Sequence, residues 1–404
     1  MVCGNVNFTN LSRYSDLSEK TYRRHFKDTI GFESLNQCVI EQVRSPKTGT
    51  RIAAVDCTFV RKSGRHTEGL DSFYNGTIGK AERGLEWSVV AVIDVEQGTG
   101  YALSAQQTQA GLSVKAQAKK AKLSPDIEKH NQTDTKTIPE VLAVRKSQEL
   151  PCTNRMDFYL GHLAECQSYL PKDIRYVAAD AFYSKFKWVN GIVGLGLHAI
   201  GKLRADANLK VLYTGPQKAK GRRRKYDTKL DCSDLSRFEF VRDLDKHNKL
   251  YTAVVYSVSL RRNIRLAYLL KEKDHKRSYV LLFSTDLAIA PYDLYRFYKA
   301  RFHIEFIFRD AKQFTGLEDC QSCNAEKLDF HFNASLTALN LAKADLLQQH
   351  SSEDPLSFSI ASYKRRALNE HLLERFISKL ALDPTLIKSN PAYDAMCAYG
   401  LINP

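Results

Sequence analysis

The chain has 404 residues, with 60 Lys and Arg against 45 Asp and Glu, for a formal net charge of +15. Its hydrophobic fraction of 43% and aromatic fraction of 10% are those of an ordinary globular protein, which excludes disorder as the dominant state. The length favours two or three structural units. The basic excess favours a polyanionic partner such as nucleic acid over a merely basic housekeeping enzyme, and no apolar run approaches the roughly 20 residues needed to span a bilayer.

Residues 1–48 read as a helical, basic N-terminal region. Ser15 or Ser18 can cap a helix that carries Tyr22 and Phe26 on one face. Such a segment is either a helix-turn-helix fragment touching DNA or a packing hairpin.

Three β-type runs follow, Arg51–Phe59, Leu85–Val95 and Gly100–Thr108, with a turn signal at Gln97-Gly98-Thr99-Gly100. Their short connections predict antiparallel pairing. From Ala110 to about Arg155 the chain is polar, with lysines at 115, 119, 120 and 122, and reads as a long surface connection. Met156–Leu170 has the spacing of an amphipathic helix. A strand at Arg175–Ala181, a helix around Ser184–Ile192 and a strand at Leu197–Arg204 complete an α/β pattern with a mixed sheet.

Residues 206–285 carry the basic run Lys218–Lys225 (KAKGRRRK) and several alternating segments, and read as a β-rich insertion. Helices resume near Tyr292. The predicted organisation is an α/β core over 49–205 and 286–345, interrupted by that insertion and followed by a helical region over 346–404.

Nine cysteines in an unframed arrangement, with no hydrophobic leader, predict reduced thiols and a cytoplasmic location. Cys320 and Cys323 form a single C-x-x-C, a weak zinc signal without a second pair.

Two aspartates stand out because each sits inside an apolar strand: Asp56 in AAVDCTF and Asp180 in VAADAF. A carboxylate in such company is costly unless paired, hydrogen-bonded or bound to metal. One is commonly a cap or a salt-bridge partner; two at the ends of separate strands raise the prospect of a shared cation site. Downstream, Tyr298, Arg301, Glu305 and Lys312 follow the spacing Y-x2-R-x3-E-x6-K. On one straight helix they fall within a sector of about 60° over about 21 Å. Phe302, Ile304, Phe306, Ile307 and Phe308 flank the stripe and can anchor it in the core. Geometry alone leaves open an exposed helix face with an Arg301–Glu305 pair. Asp71 and Asp94 are rival acids, Asp94 reading as a turn residue.

The stripe and its surroundings, YKARFHIEFIFRDAKQ followed by Gly316-Leu317, resemble the YREK signature of insertion-sequence transposases in the DDE superfamily. Ala53–Gly64, with Gly69–Phe73 and Lys80–Glu86, resembles the first Asp block of that family, and Val177–Tyr183 the second. A departure is Phe302, where many relatives carry Trp. The resemblance implies an RNase H-like mixed five-stranded sheet with flanking helices, in which Asp56, Asp180 and Glu305 bind two Mg²⁺ (or Mn²⁺) ions. It also implies DNA end cleavage and strand transfer of the cut-and-paste kind, on double-stranded inverted-repeat ends and target DNA, by a dimer in a prokaryotic nucleoid. Tyr298, Arg301 and Lys312 would hold phosphates by the same resemblance. Arg222, Arg223, Arg224 and Lys225 are the insertion's candidate backbone contacts. Two alternatives remain, a silent transposase-derived DNA-binding protein and an RNase H-like nuclease without strand transfer.

Overall fold

The computed structural model describes residues 4–26, 28–43, 49–112, 154–274, 276–349 and 359–401. The lysines at 115, 119, 120 and 122, together with Cys3 and Cys152, lie outside the described residues.

Three short helices open the chain: α1 (Phe8–Arg13), α2 (Glu19–His25) and α3 (Phe32–Gln42). Asn7 and Ser18 cap the first two by accepting backbone N–H groups, as the sequence led one to expect for Ser18. Phe8, Tyr22 and Phe26 stack together, and Phe26 continues onto Phe330. The four strands β1 (Arg51–Arg61), β2 (Asp71–Asn75), β3 (Lys80–Asp94) and β4 (Thr99–Gln107) then form an antiparallel set. The alternation in the sequence does not mark β2 or the first five residues of β3.

Next come α4 (Arg155–Cys166), capped by Asn154, and then β5 (Tyr176–Ala178), α5 (Phe186–Gly194) and β6 (His198–Leu203). The strands β7 (Leu209–Leu212), β8 (Tyr226–Lys229), β9 (Glu239–Asp243), β10 (Asn248–Ser257), β11 (Arg262–Lys273) and β12 (Lys276–Ser284) follow. The chain ends in α6 (Pro291–Ala300), α7 (His303–Phe314), α8 (Ala325–Gln349), α9 (Ile360–Lys379), α10 (Pro384–Lys388) and α11 (Pro391–Cys397). None of the described helices is long and apolar enough to cross a membrane.

The strands form one large mixed sheet flanked by helices. Strand β1 pairs antiparallel with β3 on one side and parallel with β5 on the other; β5 pairs parallel with β6. The sheet is wider than the five strands expected. Among the described residues it has twelve, because β12 pairs antiparallel with β6 and carries β11, β10, β7 and β8 outward. The alternating segments after 206 thus continue the sheet through backbone hydrogen bonds.

Alternation along the strands sends residues to two cores. Ala53, Val55 and Val177 meet Tyr159 and Leu163 of α4 and Trp188, Val189 and Ile192 of α5. Ile52, Ala54 and Ala178 meet Leu294, Phe297, Ile304, Ile307, Phe332 and Leu336 of α6, α7 and α8. Each fully buried Val, Leu, Ile or Phe among them contributes roughly 1.5–3 kcal/mol of hydrophobic stabilisation.

The outer edge of β4 is covered by side chains. Asn333 accepts from Ala105 N at 3.0 Å and donates to Ala105 O at 3.0 Å. Asn340 does the same for Ala102, at 3.0 and 2.7 Å, and donates to Asn36 Oδ1, while Asn36 donates to Leu103 O. Three asparagines thereby satisfy an edge that would otherwise present free backbone groups.

Candidate active site

The register of β1 on β5 brings the two strand aspartates together. Ala54 pairs with Ala178. Asp56 and Asp180 each lie two residues further along, Asp56 in the middle of β1 and Asp180 just beyond the end of β5, which is shorter than the strand expected at Arg175–Ala181. Period-two alternation turns both toward the side on which Ala54 and Ala178 pack, where α6 and α7 lie. Asp180 also accepts the Phe182 N–H at 2.8 Å and so caps the short turn Ala181–Tyr183.

Glu305 comes from the first turn of α7. That helix can lie close on the sheet because Gly100 carries no side chain: a Cβ there would stand 2.7 Å from Ile93 Cδ1 and 3.1 Å from Ile307 Cδ1.

The segment Tyr298–Lys312 differs from the straight helix expected. It is two helices, α6 and α7, joined at Arg301 and Phe302. The backbone stays right-handed, but the hydrogen bonds tighten to three-residue steps, Phe302 N to Lys299 O, Ile304 N to Arg301 O and Glu305 N to Phe302 O. Tyr298, Arg301 and Glu305 stay together across the joint, while Lys312 lies about two turns further along α7.

Arg301 turns inward and is 8% exposed. It donates to Asp56 Oδ2 at 3.2 Å and to Glu305 Oε1 at 3.0 Å, while its Nε is buried without a partner. Tyr298 lies beneath it, with the guanidinium carbon 5.7 Å from the ring centre. Lys312 is elsewhere: its Nζ donates to Phe59 O at 2.6 Å and pairs with Glu318 at 3.2 Å. Ile304, Ile307 and Phe308 are buried as expected, whereas Phe302 and Phe306 face solvent at 47% and 37% exposure, edge to face with each other. Helix periodicity accounts for this: Phe306 stands about 200° round α7 from Ile304, and Phe302, four residues earlier, shares its outward face.

Electrostatics ties the three acids into one group. Burial pushes the Asp56 carboxyl up to about 7, Arg301 opposes the shift, and the charges of Asp180 and Glu305 add to it. Tyr298 is also pushed up, by burial first, with Asp180 and Glu305 contributing.

A second polar group, unmarked in the sequence, lies close behind Asp56 on the opposite side of the sheet. Tyr183 Oη lies 3.2 Å from Cys57 Sγ, and Tyr159 donates to Glu86 Oε1 at 2.7 Å. Burial pushes the Cys57 thiol up, so it is no thiolate nucleophile. The rival acids are occupied locally: Asp71 accepts from Ser72 N and Gly111 N, and Asp94 from Gln97 N in its turn. Arg222, Arg223, Arg224 and Lys225 lie between β7 and β8, exposed; Arg224 pairs with Asp227 and stacks on Tyr213.

As a class, this is an α/β protein whose mixed sheet gathers one carboxylate within a central strand and one just past the end of its parallel neighbour, with a third supplied by a covering helix. Residues 27–238, just over half the chain, match the family described as DDE superfamily endonuclease, and the chain belongs to that family. The match spans Asp56 and Asp180 and ends before Glu305. A search of curated proteins gave no match.

Endonucleases of this family act on DNA and typically use divalent metal ions to cleave phosphodiesters. The donor set fits such ions in its chemistry, since Mg²⁺ and Mn²⁺ prefer carboxylate oxygen. Among the described residues no three His, Cys, Asp or Glu side chains close on a cation position. The Arg301 guanidinium supplies positive charge to two of the three acids instead.

Proposed function

We propose that this protein is an insertion-sequence transposase that cleaves the DNA ends of its element and joins them to target DNA. The single observation that carries the reading is the meeting of Asp56, Arg301 and Glu305, with Asp180 beside Asp56 in register. The strand order β4-β3-β1-β5-β6, with β3 antiparallel and β5 and β6 parallel to β1, supports the RNase H-like core expected for such an enzyme.

In this reading Asp56, Asp180 and Glu305 would hold two Mg²⁺ or Mn²⁺ ions. When bound, such ions supply Lewis-acid stabilisation of the attacking and leaving oxygens of an in-line displacement. The chain's own residues do the rest. Asp56 and Asp180 are fixed by strand register, and Glu305 by the packing of α7. Arg301, once released from the carboxylates, offers a planar donor to a phosphate close to the cleaved bond. Tyr298 supports that guanidinium from below. Lys312 holds the end of β1 to α7 and reaches DNA only by giving up the Phe59 carbonyl. The +15 net charge and the exposed run at 222–225 favour contact with the phosphate backbone on either side. Two paired ends would engage two copies of the chain.

The test is cleavage of a linear duplex carrying the element's inverted-repeat ends, with Mg²⁺. Asp56→Asn, Asp180→Asn and Glu305→Gln should each abolish cleavage while end binding persists. Full cleavage by Glu305→Gln would remove it from the site. A joining assay with pre-cut ends then separates a transposase from a nuclease that stops at cleavage, which would give no joined product.

A further inference from the structure

Beside Asp180 the surface carries an alternation that the acid site does not use. Phe182, whose N–H is held by the Asp180 carboxylate, is 46% exposed, and the Lys185 ammonium lies 4.0 Å over its ring centre. Phe186 begins α5, is 38% exposed, and has the Arg261 guanidinium 4.9 Å over its ring. Lys185 and Arg261 are themselves exposed.

The placement of Arg261 is built. Leu260 at the same turn is fully buried and anchors the β10–β11 hairpin tip. Arg262 donates to Asn190 Oδ1 of α5 at 2.9 Å. Arg261 itself adopts a left-handed backbone, φ 53°, a conformation that a non-glycine residue keeps only where its surroundings hold it. Two segments far apart in sequence thus converge to present two exposed ring–cation pairs, Phe182 with Lys185 and Phe186 with Arg261, starting two residues from Asp180.

Single exposed rings are ordinary on a protein surface, and what sets these two apart is the cation held over each; a protein partner would favour a wider and less charged patch. Rings interleaved with cations match one chemistry better: a strand whose bases are unpaired, stacking on the rings while its phosphates lie on the cations. A closed duplex has no free base faces to offer.

We propose that Phe182, Lys185, Phe186 and Arg261 form a binding strip for single-stranded DNA leading to or from the Asp180 end of the site. The proposal rests on the reading of Asp180 as part of the DNA-cleaving site, and names the form of DNA that the flank of that site accepts.

The full chain in EDTA, so that no cleavage occurs, is titrated into a fluorescein-labelled 20-nucleotide single strand and, separately, its duplex. Phe182→Ala/Phe186→Ala should weaken single-strand binding by about tenfold or more and duplex binding by less than about twofold. Phe182→Tyr/Phe186→Tyr should retain single-strand affinity, because the stacking face survives. Lys185→Ala/Arg261→Ala should reduce the salt dependence of single-strand binding by about two phosphate contacts, a change of roughly 1.4 in the log–log slope. Equal losses on duplex and single strand, or unchanged single-strand affinity, overturn the strip. If the alanine pair fails to fold, loss of single-strand binding in the folded tyrosine pair, or an unchanged slope in the lysine–arginine pair, overturns it as well. Retained Mg²⁺-dependent cleavage by Asp180→Asn, in contrast, removes the site reading and leaves these binding ratios to decide the strip on their own.

Discussion

Arg301 and Asp56 meet at 3.2 Å across 245 residues of sequence, and the same guanidinium reaches Glu305 at 3.0 Å. A buried cation between two carboxylates does in the ion-free protein what a metal would do: it offsets their mutual repulsion. Removing it leaves Asp56 buried beside two other acids with no counter-charge. Arg301→Gln should therefore cost about 3 kcal/mol of stability in EDTA. It should also gain more from millimolar Mn²⁺ than the wild type gains, since the cation no longer has to displace the guanidinium. Urea unfolding with and without Mn²⁺ measures both, and a variant as stable as wild type in EDTA would contradict this account.

Lys312 makes two contacts of unequal worth. Its bond to the Phe59 carbonyl ties the end of β1 to α7, whereas its pair with Glu318 lies at the surface. Lys312→Ala should cost about 1–2 kcal/mol, and Glu318→Ala less than about 0.5 kcal/mol. Comparable losses from the two variants would show that the ion pair, and not the carbonyl bond, matters.

His162 lies between Ser88 and Ser104, fully enclosed, and burial pushes its imidazole down to about 3. The unfolded chain takes up this proton near 6.5 and the folded chain does not until near 3. Stability from this group is thus complete above 6.5 and is lost as pH falls toward 3, on the order of 5 kcal/mol in all. Acidic residues add their own slope, so the readout is a difference. Between pH 7 and 4.5 the unfolding free energy of His162→Asn should fall less steeply than that of wild type, and parallel slopes would refute the assignment.

Asn340 is wholly buried and makes three hydrogen bonds, two to Ala102 and one to Asn36. Asn340→Ala strands the backbone groups of Ala102 and should cost about 2–4 kcal/mol. Asn340→Asp should be nearly as harmful, because a carboxylate cannot donate to Ala102 O. A chemical denaturation series on the three proteins tests the order.

The strand aspartates stood out because an acid inside a run such as AAVDCTF is costly without a partner, and the apolar strands around it announce a buried sheet. Their adjacency did not, since it depends on Ala54 falling opposite Ala178, a register between distant segments. The helix stripe was legible as spacing but not as shape. KARFHI contains neither Gly nor Pro, so nothing local marks the joint at Arg301; Phe302 and Phe306 failed as core anchors for another reason, since helix periodicity sets them opposite Ile304 and Ile307. The alternating segments after residue 206 announced strands. That β12 would dock on β6 and widen the same sheet is a non-local pairing that no local pattern encodes. Phe182 and Arg261 carry no signal at all until the β10–β11 turn is seen folded over α5.

The asparagines along β4 have a consequence for how this architecture can vary. With that margin sealed by side chains, a new strand has no backbone to join there. The margin of β6 is instead paired through its backbone, and β12 and the strands beyond it continue the sheet there. Lineages of this fold should therefore differ in width on one flank only, with the strands that bear Asp56 and Asp180 keeping a constant distance from the sealed margin however much sheet accumulates on the other.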